Sequence, residues 1–151
     1  MRLFCKIITY ITISCGLSYL AYEGNGSFFI EFLKNIIPLL ATLLAINMTS
    51  SALIAGELSK LRIKYPKADL TATNKEMKKT FIFQLYLLIA LFIIFLLRDA
   101  LIIQNLEIKK IVTLISNAFA IGIFLYYLEI IYDLGKALFD ILNFNNQNED
   151  L

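Results

Sequence analysis

The chain contains no histidine and only two cysteines among its 151 residues. The missing histidine removes the commonest general base, proton relay and metal ligand. Cys5 and Cys15 lie on one predicted helix, about 15 Å apart along its axis, so they cannot form a disulfide within it. The sequence also has no glycine-rich phosphate loop, nucleophile–base pair or metal-ligand spacing. We therefore expect neither an enzyme nor a bound metal or cofactor.

Hydrophobic residues, in contrast, dominate the chain. They make up 59% of it, and its mean hydropathy of +0.73 is too high for a soluble domain of this size. A helix needs about 20 mainly apolar residues to cross ~30 Å of hydrocarbon. Stretches that reach or approach this length lie at about 3–22, 36–55, 81–97 and 111–131. We predict an all-α integral membrane protein, a four-helix bundle that forms a single transmembrane domain over residues 1–151.

The first stretch also has features of a signal peptide, because Arg2 and Lys6 precede its apolar run. Ser14-Cys15-Gly16 even suggests a lipoprotein cleavage site. However, the residue three positions before Cys15 is Thr12, where such sites prefer a branched aliphatic residue. We therefore expect this stretch to be the first span rather than a removed leader.

The basic residues are distributed unevenly between the two sides of these spans. The side with fewer of them has Lys34, Arg98, Lys109 and Lys110. The other side has Arg2, Lys6, Lys60, Arg62, Lys64, Lys67, Lys75, Lys78, Lys79 and Lys136. Cytoplasmic loops carry the excess of lysine and arginine. We therefore predict that both termini and the basic loop, residues 57–80, are cytoplasmic.

Three helices are predicted to continue past the membrane on this basic side. An apolar stripe at helical spacing starts at Ile54 and extends the second helix up to Pro66. Thr73-Asn74-Lys75-Glu76 fits a capping box that would start the third helix. The fourth helix keeps its apolar stripe over 131–141, before a polar tail at 143–151 that we expect to fray.

Polar side chains concentrate in the second and fourth spans. Asn47 is predicted near the middle of the membrane, where an amide must find a partner or water. One interpretation is hydrogen bonding between helices, and the other is a polar pathway across the membrane. The candidate pore-lining residues are Asn47, Ser50, Ser51 and Asn117.

The same two spans carry small residues at helical spacing, which let helix backbones approach closely in lipid. Ala118-x-x-x-Gly122 is one such pattern, in the fourth span. Pro38 is expected to mark the start of the second helix or a kink in it. The small-residue stripe of the second span consists of Thr42, Ala45, Thr49, Ala52 and Gly56.

Charged residues near the predicted cytoplasmic boundary suggest two further roles. Glu129 and Asp133 are one turn apart and, in a symmetric oligomer, would form acidic rings at an inner pore mouth. The other interpretation is that they form salt bridges with the basic loop or with Lys136. Lys60, Arg62 and Lys64 are candidates for contact with anionic lipid or with a partner protein.

These features fit a homo-oligomeric ion channel or membrane-permeabilising effector that is gated through its cytoplasmic face. The alternative is a non-conducting membrane anchor or sensor that recruits a cytosolic protein. A small multidrug exporter is disfavoured, because those proteins place a glutamate in the first span and this span has no acid. The expected partners are membrane lipids, further copies of the chain, and a cytosolic protein or small activating ligand, with no direct contact to nucleic acid.

Three segments carry a resemblance to a known class. Leu40–Asn47 (LATLLAIN), Glu57–Leu61 (ELSKL) and Thr73 with Glu76–Lys79 follow one another as in small membrane proteins of bacterial anti-phage defence systems. The chain resembles the four-span membrane components of Hailong and Kiwa in plan, over most of its length. The resemblance implies a protein of the bacterial inner membrane. It implies either a channel that depolarises the infected cell or a membrane sensor paired with a cytosolic partner.

Overall fold

The computed structural model describes residues 2–24, 27–64, 71–100 and 106–147. Within these residues the protein is all-α and has four helices: α1 (Arg2–Glu23), α2 (Ser27–Lys64), α3 (Thr71–Ala100) and α4 (Leu106–Gln147). The predicted all-α class is confirmed. The orientation of the termini stays a prediction.

Three of these helices are long and apolar enough to cross a membrane. The candidate spans among the described residues are Ser27–Lys60, Thr73–Arg98 and Ile108–Ile141. Helices suit this role because every backbone polar group in their interior is satisfied within the segment. The protein therefore has the features of a multi-pass membrane protein. α1 is 22 residues long, and its role as a further span stays a prediction.

Two helices begin earlier than the sequence suggests. α2 starts at Ser27, so Pro38 lies inside the helix and does not mark its start. Pro38 is exposed, and proline is tolerated in membrane helices because neighbouring groups satisfy the freed carbonyl. α3 starts at Thr71, so the predicted capping box is wrong: Thr73 already lies in the first turn.

The predicted basic loop 57–80 is mostly helical. α2 continues to Lys64 and α3 begins at Thr71, which agrees with the predicted extensions of both helices. Residues 65–70, with Pro66 and Lys67, lie outside the described residues. α4 continues to Gln147, so 143–147 are helical, and the expected fraying of the tail stays a prediction. Residues 148–151 lie outside the described part of the chain.

The residues group into two compact units. Unit 1 comprises Met1–Ala41 and Tyr86–Tyr126, and unit 2 comprises Thr42–Leu85 and Tyr127–Leu151. α2, α3 and α4 each contribute residues to both units. The prediction of a single transmembrane domain stays a prediction.

Unit 1 is held together by close contact between α1 and α4. Ser18 Oγ donates a hydrogen bond to the carbonyl oxygen of Leu114 at 2.9 Å. About two helical turns further along α4, a Cβ added at Gly122 would lie 3.3 Å from Ser14 Oγ. The glycine therefore permits the close approach predicted for this motif. α2 joins through Phe32, whose ring packs edge-on against Phe124 at 5.4 Å.

Unit 2 has a different kind of connection, between α3 and α4. Tyr127 is fully buried, and its hydroxyl donates a hydrogen bond to the carbonyl oxygen of Gln84 at 2.6 Å. Buried tyrosines usually find such a partner because the ring is apolar and the hydroxyl is not. The aliphatic side chains of Ile54, Leu58 and Ile130 are buried in the same unit.

Candidate functional site

The most unusual group of unit 2 is the amide of Asn47 on α2. The side chain is only 2% exposed, and neither its nitrogen nor its oxygen has a hydrogen-bond partner among the described residues. An amide that is removed from water without a compensating hydrogen bond costs several kcal/mol, on the order of 2–7. Among the described residues Asn47 thus makes no hydrogen bond between helices, which was one of its two interpretations.

A second buried amide lies in the same unit. Gln84 of α3 is 1% exposed, and its side-chain nitrogen has no partner among the described residues. Its backbone carbonyl, in contrast, accepts the hydroxyl of Tyr127. Sequence analysis did not select Gln84 or Tyr127 as site residues. The available signal was that a strongly polar residue interrupts an otherwise apolar span.

The remaining candidates of α2 are less buried than Asn47. Ser50 and Ser51 are half-buried. The five members of the small-residue stripe are exposed, and a Cβ added at Gly56 would meet nothing within 4 Å. The hydroxyl of Thr49, a member of this stripe, donates a hydrogen bond to the carbonyl of Ala45 in the same helix at 3.0 Å. The stripe thus lies on the outer surface of the chain, while Asn47 lies inside unit 2.

Unit 1 contains the fourth pore-lining candidate. Asn117 of α4 is 5% exposed, and its amide oxygen has no hydrogen-bond partner among the described residues. Its neighbour Ser116 is also buried, but the Ser116 hydroxyl donates to the carbonyl of Val112 at 2.8 Å. Of these two residues, only Asn117 thus has a buried acceptor, its amide oxygen, that lacks a hydrogen-bond donor among the described residues.

Asn117 lines a cavity of about 500 Å³ in unit 1. Arg98 of α3 lies at the same cavity, and its guanidinium carbon is 4.6 Å from the centroid of the Phe95 ring. Lys110 flanks the cavity, with its ammonium nitrogen 3.9 Å from a carboxylate oxygen of Glu23 and 4.8 Å from the Tyr22 ring centroid. Polar and aromatic residues that line the cavity are Tyr22, Glu23, Phe29, Arg98, Thr113 and Asn117.

The acidic candidates lie on α4 within unit 2. Glu129 is half-buried and Asp133 is exposed. Among the basic candidates, Lys60 is exposed and pairs with Glu57 of the preceding turn at 2.6 Å. The side chains of Arg62 and Lys64 lie outside the described part of the chain.

No metal centre is formed by the described residues, since no three His, Cys, Asp or Glu side chains come together as ligands would. Comparison with protein-family models, with curated proteins and with solved structures gives no match. Two features distinguish the described residues: the buried amide of Asn47 and the cavity beside Asn117.

Proposed function

We propose that this protein is a homo-oligomeric ion channel or membrane-permeabilising effector of the bacterial inner membrane, gated through its cytoplasmic face. The observation that carries the proposal is the amide of Asn47, which is buried at 2% exposure with both polar atoms unpartnered among the described residues. A polar group of this kind within a membrane span is expensive, and such groups typically mark ion or substrate pathways.

Water is the partner that best suits this amide. An amide offers two donors and an acceptor, and in hydrocarbon each unsatisfied group costs several kcal/mol. A hydrated route past Asn47 removes this cost and provides ions with ligands. The unpartnered side-chain nitrogen of Gln84 in the same unit adds a second group that water would satisfy.

Oligomerisation is supported by the small-residue stripe of α2. The stripe is exposed on the single chain, and lipid supplies no hydrophobic drive for helices to associate. Small side chains compensate for this because they allow two backbones to approach closely. Copies of the chain would therefore associate along α2, with Thr49 and Gly56 at the contact. The four helices of one chain enclose little space. Several subunits would therefore be needed to surround or widen the hydrated route past Asn47.

The acidic pair of α4 gives the proposed channel a cation preference. Glu129 and Asp133 recur in every copy, and rings of carboxylates attract cations to a pore mouth. Replacement of Glu129 by glutamine removes one ring without changing the size of the side chain. We expect this variant to conduct with a reduced preference for cations over anions, measured as a shift in reversal potential under a salt gradient.

The test of the proposal is the conductance of the purified protein in planar bilayers, with Asn47→Leu as the variant. Leucine removes the amide at similar size, and a barrier raised by about 1.4 kcal/mol reduces the current about tenfold. The matched control is Asn35→Leu, which makes the same change at an exposed amide of the same helix, outside the proposed subunit contact. The proposal fails when an intact oligomer does not conduct, or when both variants conduct like the wild type.

The anchor alternative rests on the basic residues at the end of α2, Lys60, Arg62 and Lys64, together with the exposed cations at the start of α3. Lys75 and Lys78 are exposed, whereas Lys79 pairs with Glu76 in the same turn at 2.7 Å. An intact oligomer without conductance would favour this alternative. So would a soluble partner whose co-purification is lost when Lys60, Arg62 and Lys64 are replaced by glutamine.

We further propose that the channel acts in anti-phage defence. This part of the proposal rests on the resemblance of Leu40–Asn47 and of the two segments that follow it to membrane proteins of defence systems. We expect bacteria that express the protein to lose membrane potential after phage infection, measured with a voltage-sensitive dye. Cells that express Asn47→Leu should keep their potential and lyse as cells without the protein do. Equal protection by both forms would contradict the link between conduction and defence.

A further inference from the structure

One wall of the cavity in unit 1 is a polar face of α4. Thr113 and Asn117 line the cavity one helical turn apart. Lys110 lies on the same face, three residues before Thr113. Lys110 is exposed, Thr113 is half-buried and Asn117 is buried. The face therefore leads from a charge at the surface of the unit to an amide in its interior.

The charged groups at the cavity have an excess of positive charge. Arg98 and Glu23 both line it, and the ammonium of Lys110 lies 3.9 Å from a carboxylate oxygen of Glu23. This carboxylate thus already has a cation beside it, and two cations stand against one anion. Arg98 also lies over the Phe95 ring at 4.6 Å, and its guanidinium has several N–H donors, of which a phosphate needs only one or two. A ligand that suits these charges is anionic.

The amide oxygen of Asn117 requires a second kind of group. Asn117 is 5% exposed, and this oxygen has no hydrogen-bond partner among the described residues. A buried acceptor that stays without a donor is costly, and an anionic group brings acceptors only. The ligand must therefore also carry a hydrogen-bond donor, such as a hydroxyl.

The two groups of the ligand belong at different depths in the membrane. Arg98 is the last residue of the span Thr73–Arg98, and the ends of spans lie at the level of the lipid headgroups. Asn117 lies about two and a half helical turns inside the span Ile108–Ile141. The anionic group thus lies at headgroup level, and the hydroxyl lies on its hydrocarbon side.

The opposite wall of the cavity is apolar and belongs to α2. Phe29 and Leu33 line the cavity one turn apart, with Ile30 beside them. Phe29 and Leu33 are half-buried, whereas Ile30 is exposed. The apolar wall therefore continues onto the outer surface of the unit, where an acyl chain can extend into the surrounding lipid.

We propose that this cavity binds an anionic lysophospholipid, which is a glycerol phosphate with a single acyl chain. Its phosphate accepts hydrogen bonds from Arg98 and is attracted by Lys110. Its free glycerol hydroxyl donates to the amide oxygen of Asn117, and its acyl chain lies along Phe29 and Leu33. The cavity volume of about 500 Å³ is within the range of specific ligand sites, roughly 300–1,000 Å³.

The hydroxyl selects a lipid with one acyl chain over a lipid with two. In a diacyl phospholipid the second chain esterifies the glycerol oxygen on the hydrocarbon side of the phosphate, so this oxygen cannot donate a hydrogen bond. The proposal concerns binding to unit 1, and it does not depend on whether the protein conducts ions.

The first test compares two lipids that differ only in this hydroxyl. The full-length protein in detergent is equilibrated with equimolar oleoylglycerol phosphate and oleoylpropanediol phosphate, and bound lipid is counted by native mass spectrometry. We expect one bound lipid per chain and about a fivefold preference for the lipid with the hydroxyl, from one hydrogen bond to a buried acceptor. Equal binding of the two lipids, or a preference for the analogue without the hydroxyl, would overturn the proposal.

Two further ligands test the charge and the acyl chain. Oleoyl lysophosphatidylcholine has the same chain and hydroxyl but no net charge, and we expect it to bind about fivefold more weakly than oleoylglycerol phosphate. Equal binding would overturn the assigned preference for an anion. Soluble glycerol phosphate should not displace the lipid at equal concentration. Displacement would identify a free phosphate as the ligand and overturn the assignment to a lipid.

Variants of two lining residues assign the contacts. Asn117→Leu should remove the preference between the two oleoyl phosphates, because it removes the acceptor. Arg98→Gln should weaken the binding of both about tenfold, and Arg98→Lys should retain part of it. The matched controls, exposed on α2 and outside the cavity lining, are Lys34→Gln and Asn35→Leu, which should bind like the wild type.

Helix content and elution volume show whether each variant is folded. Where a variant does not fold, the comparison of ligands on the wild-type protein decides. An unchanged preference in folded Asn117→Leu would overturn the contact between the hydroxyl and this amide. Loss of binding in both controls as well as in the test variants would overturn the assignment of the lipid to this cavity.

Discussion

The amide of Asn47 leads to a prediction in which the sign of a stability change separates two roles. If Asn47 joined helices through hydrogen bonds, Asn47→Leu would destabilise the protein. Such bonds in membrane proteins contribute about 0.6 kcal/mol on average and at most about 1.7 kcal/mol. If the amide is instead an unpartnered polar group that water must satisfy, its removal stabilises the protein.

The structure sets the size of the expected effect. Asn47 is 2% exposed and both amide atoms lack partners among the described residues. A buried unsatisfied group costs about 1–3 kcal/mol, and leucine fills a similar volume without a polar atom. We therefore expect the free energy of unfolding of Asn47→Leu to exceed that of the wild type by at most about 1–3 kcal/mol, because water that satisfies the amide removes part of this cost in the wild type.

The assay is unfolding in mixed micelles by titration with sodium dodecyl sulfate, followed by far-ultraviolet circular dichroism. Asn35→Leu is the matched control, because its amide is exposed and donates to the carbonyl of Glu31 within its own helix, so its stability should be unchanged. A variant that is more stable but no longer conducts cannot owe its lost conductance to misfolding. A destabilisation of Asn47→Leu beyond that of the control would refute the reasoning and restore Asn47 as a structural hydrogen-bonding residue.

Two further predictions test the packing of each unit by the same unfolding assay. Tyr127→Phe should lose about 0.6–1.7 kcal/mol, because it removes the 2.6 Å hydrogen bond to the carbonyl of Gln84; no loss would contradict this bond. Gly122→Ala should be less stable than Gly16→Ala, which gains the same helix propensity, because the new Cβ at 122 would lie 3.3 Å from Ser14 Oγ whereas that at 16 meets nothing within 4 Å. Ser14→Ala should reduce this difference by at least about 0.5 kcal/mol in a double-mutant cycle, and strict additivity would exclude the contact. The matched controls at exposed positions are Tyr132→Phe and Gly16→Ala.

The number and class of the elements could be read from the sequence with little error. Hydropathy identified the helices because a span needs only length and apolar composition, both local properties of the chain. The boundaries were less accurate. Ser27 starts α2 well before Pro38, since a helix in lipid tolerates proline that would end a helix in water. α4 continues through 143–147, beyond the end of the apolar stripe at 141.

The candidate site was predictable only in part. Asn47 and Asn117 were selected because amides are rare and costly within spans, and the structure places both in the interior of their units. The role of Gln84 was not predicted, because a single polar residue in an apolar run does not reveal its partner. Neither could the sequence show that Arg98 and Asn117 share a cavity, since they come from different helices.

The sequence by itself determined that this is an all-α protein with helices long and apolar enough to span a membrane, because backbone hydrogen bonding in lipid leaves a long apolar segment few alternatives. Only the tertiary structure decided which face of each helix lies inside. It placed Asn47 in the interior of unit 2 and left the small-residue stripe of α2 exposed. In water the apolar face would have identified the interior. In lipid both faces are apolar, so the interior is set by packing and by the few polar groups that lipid excludes.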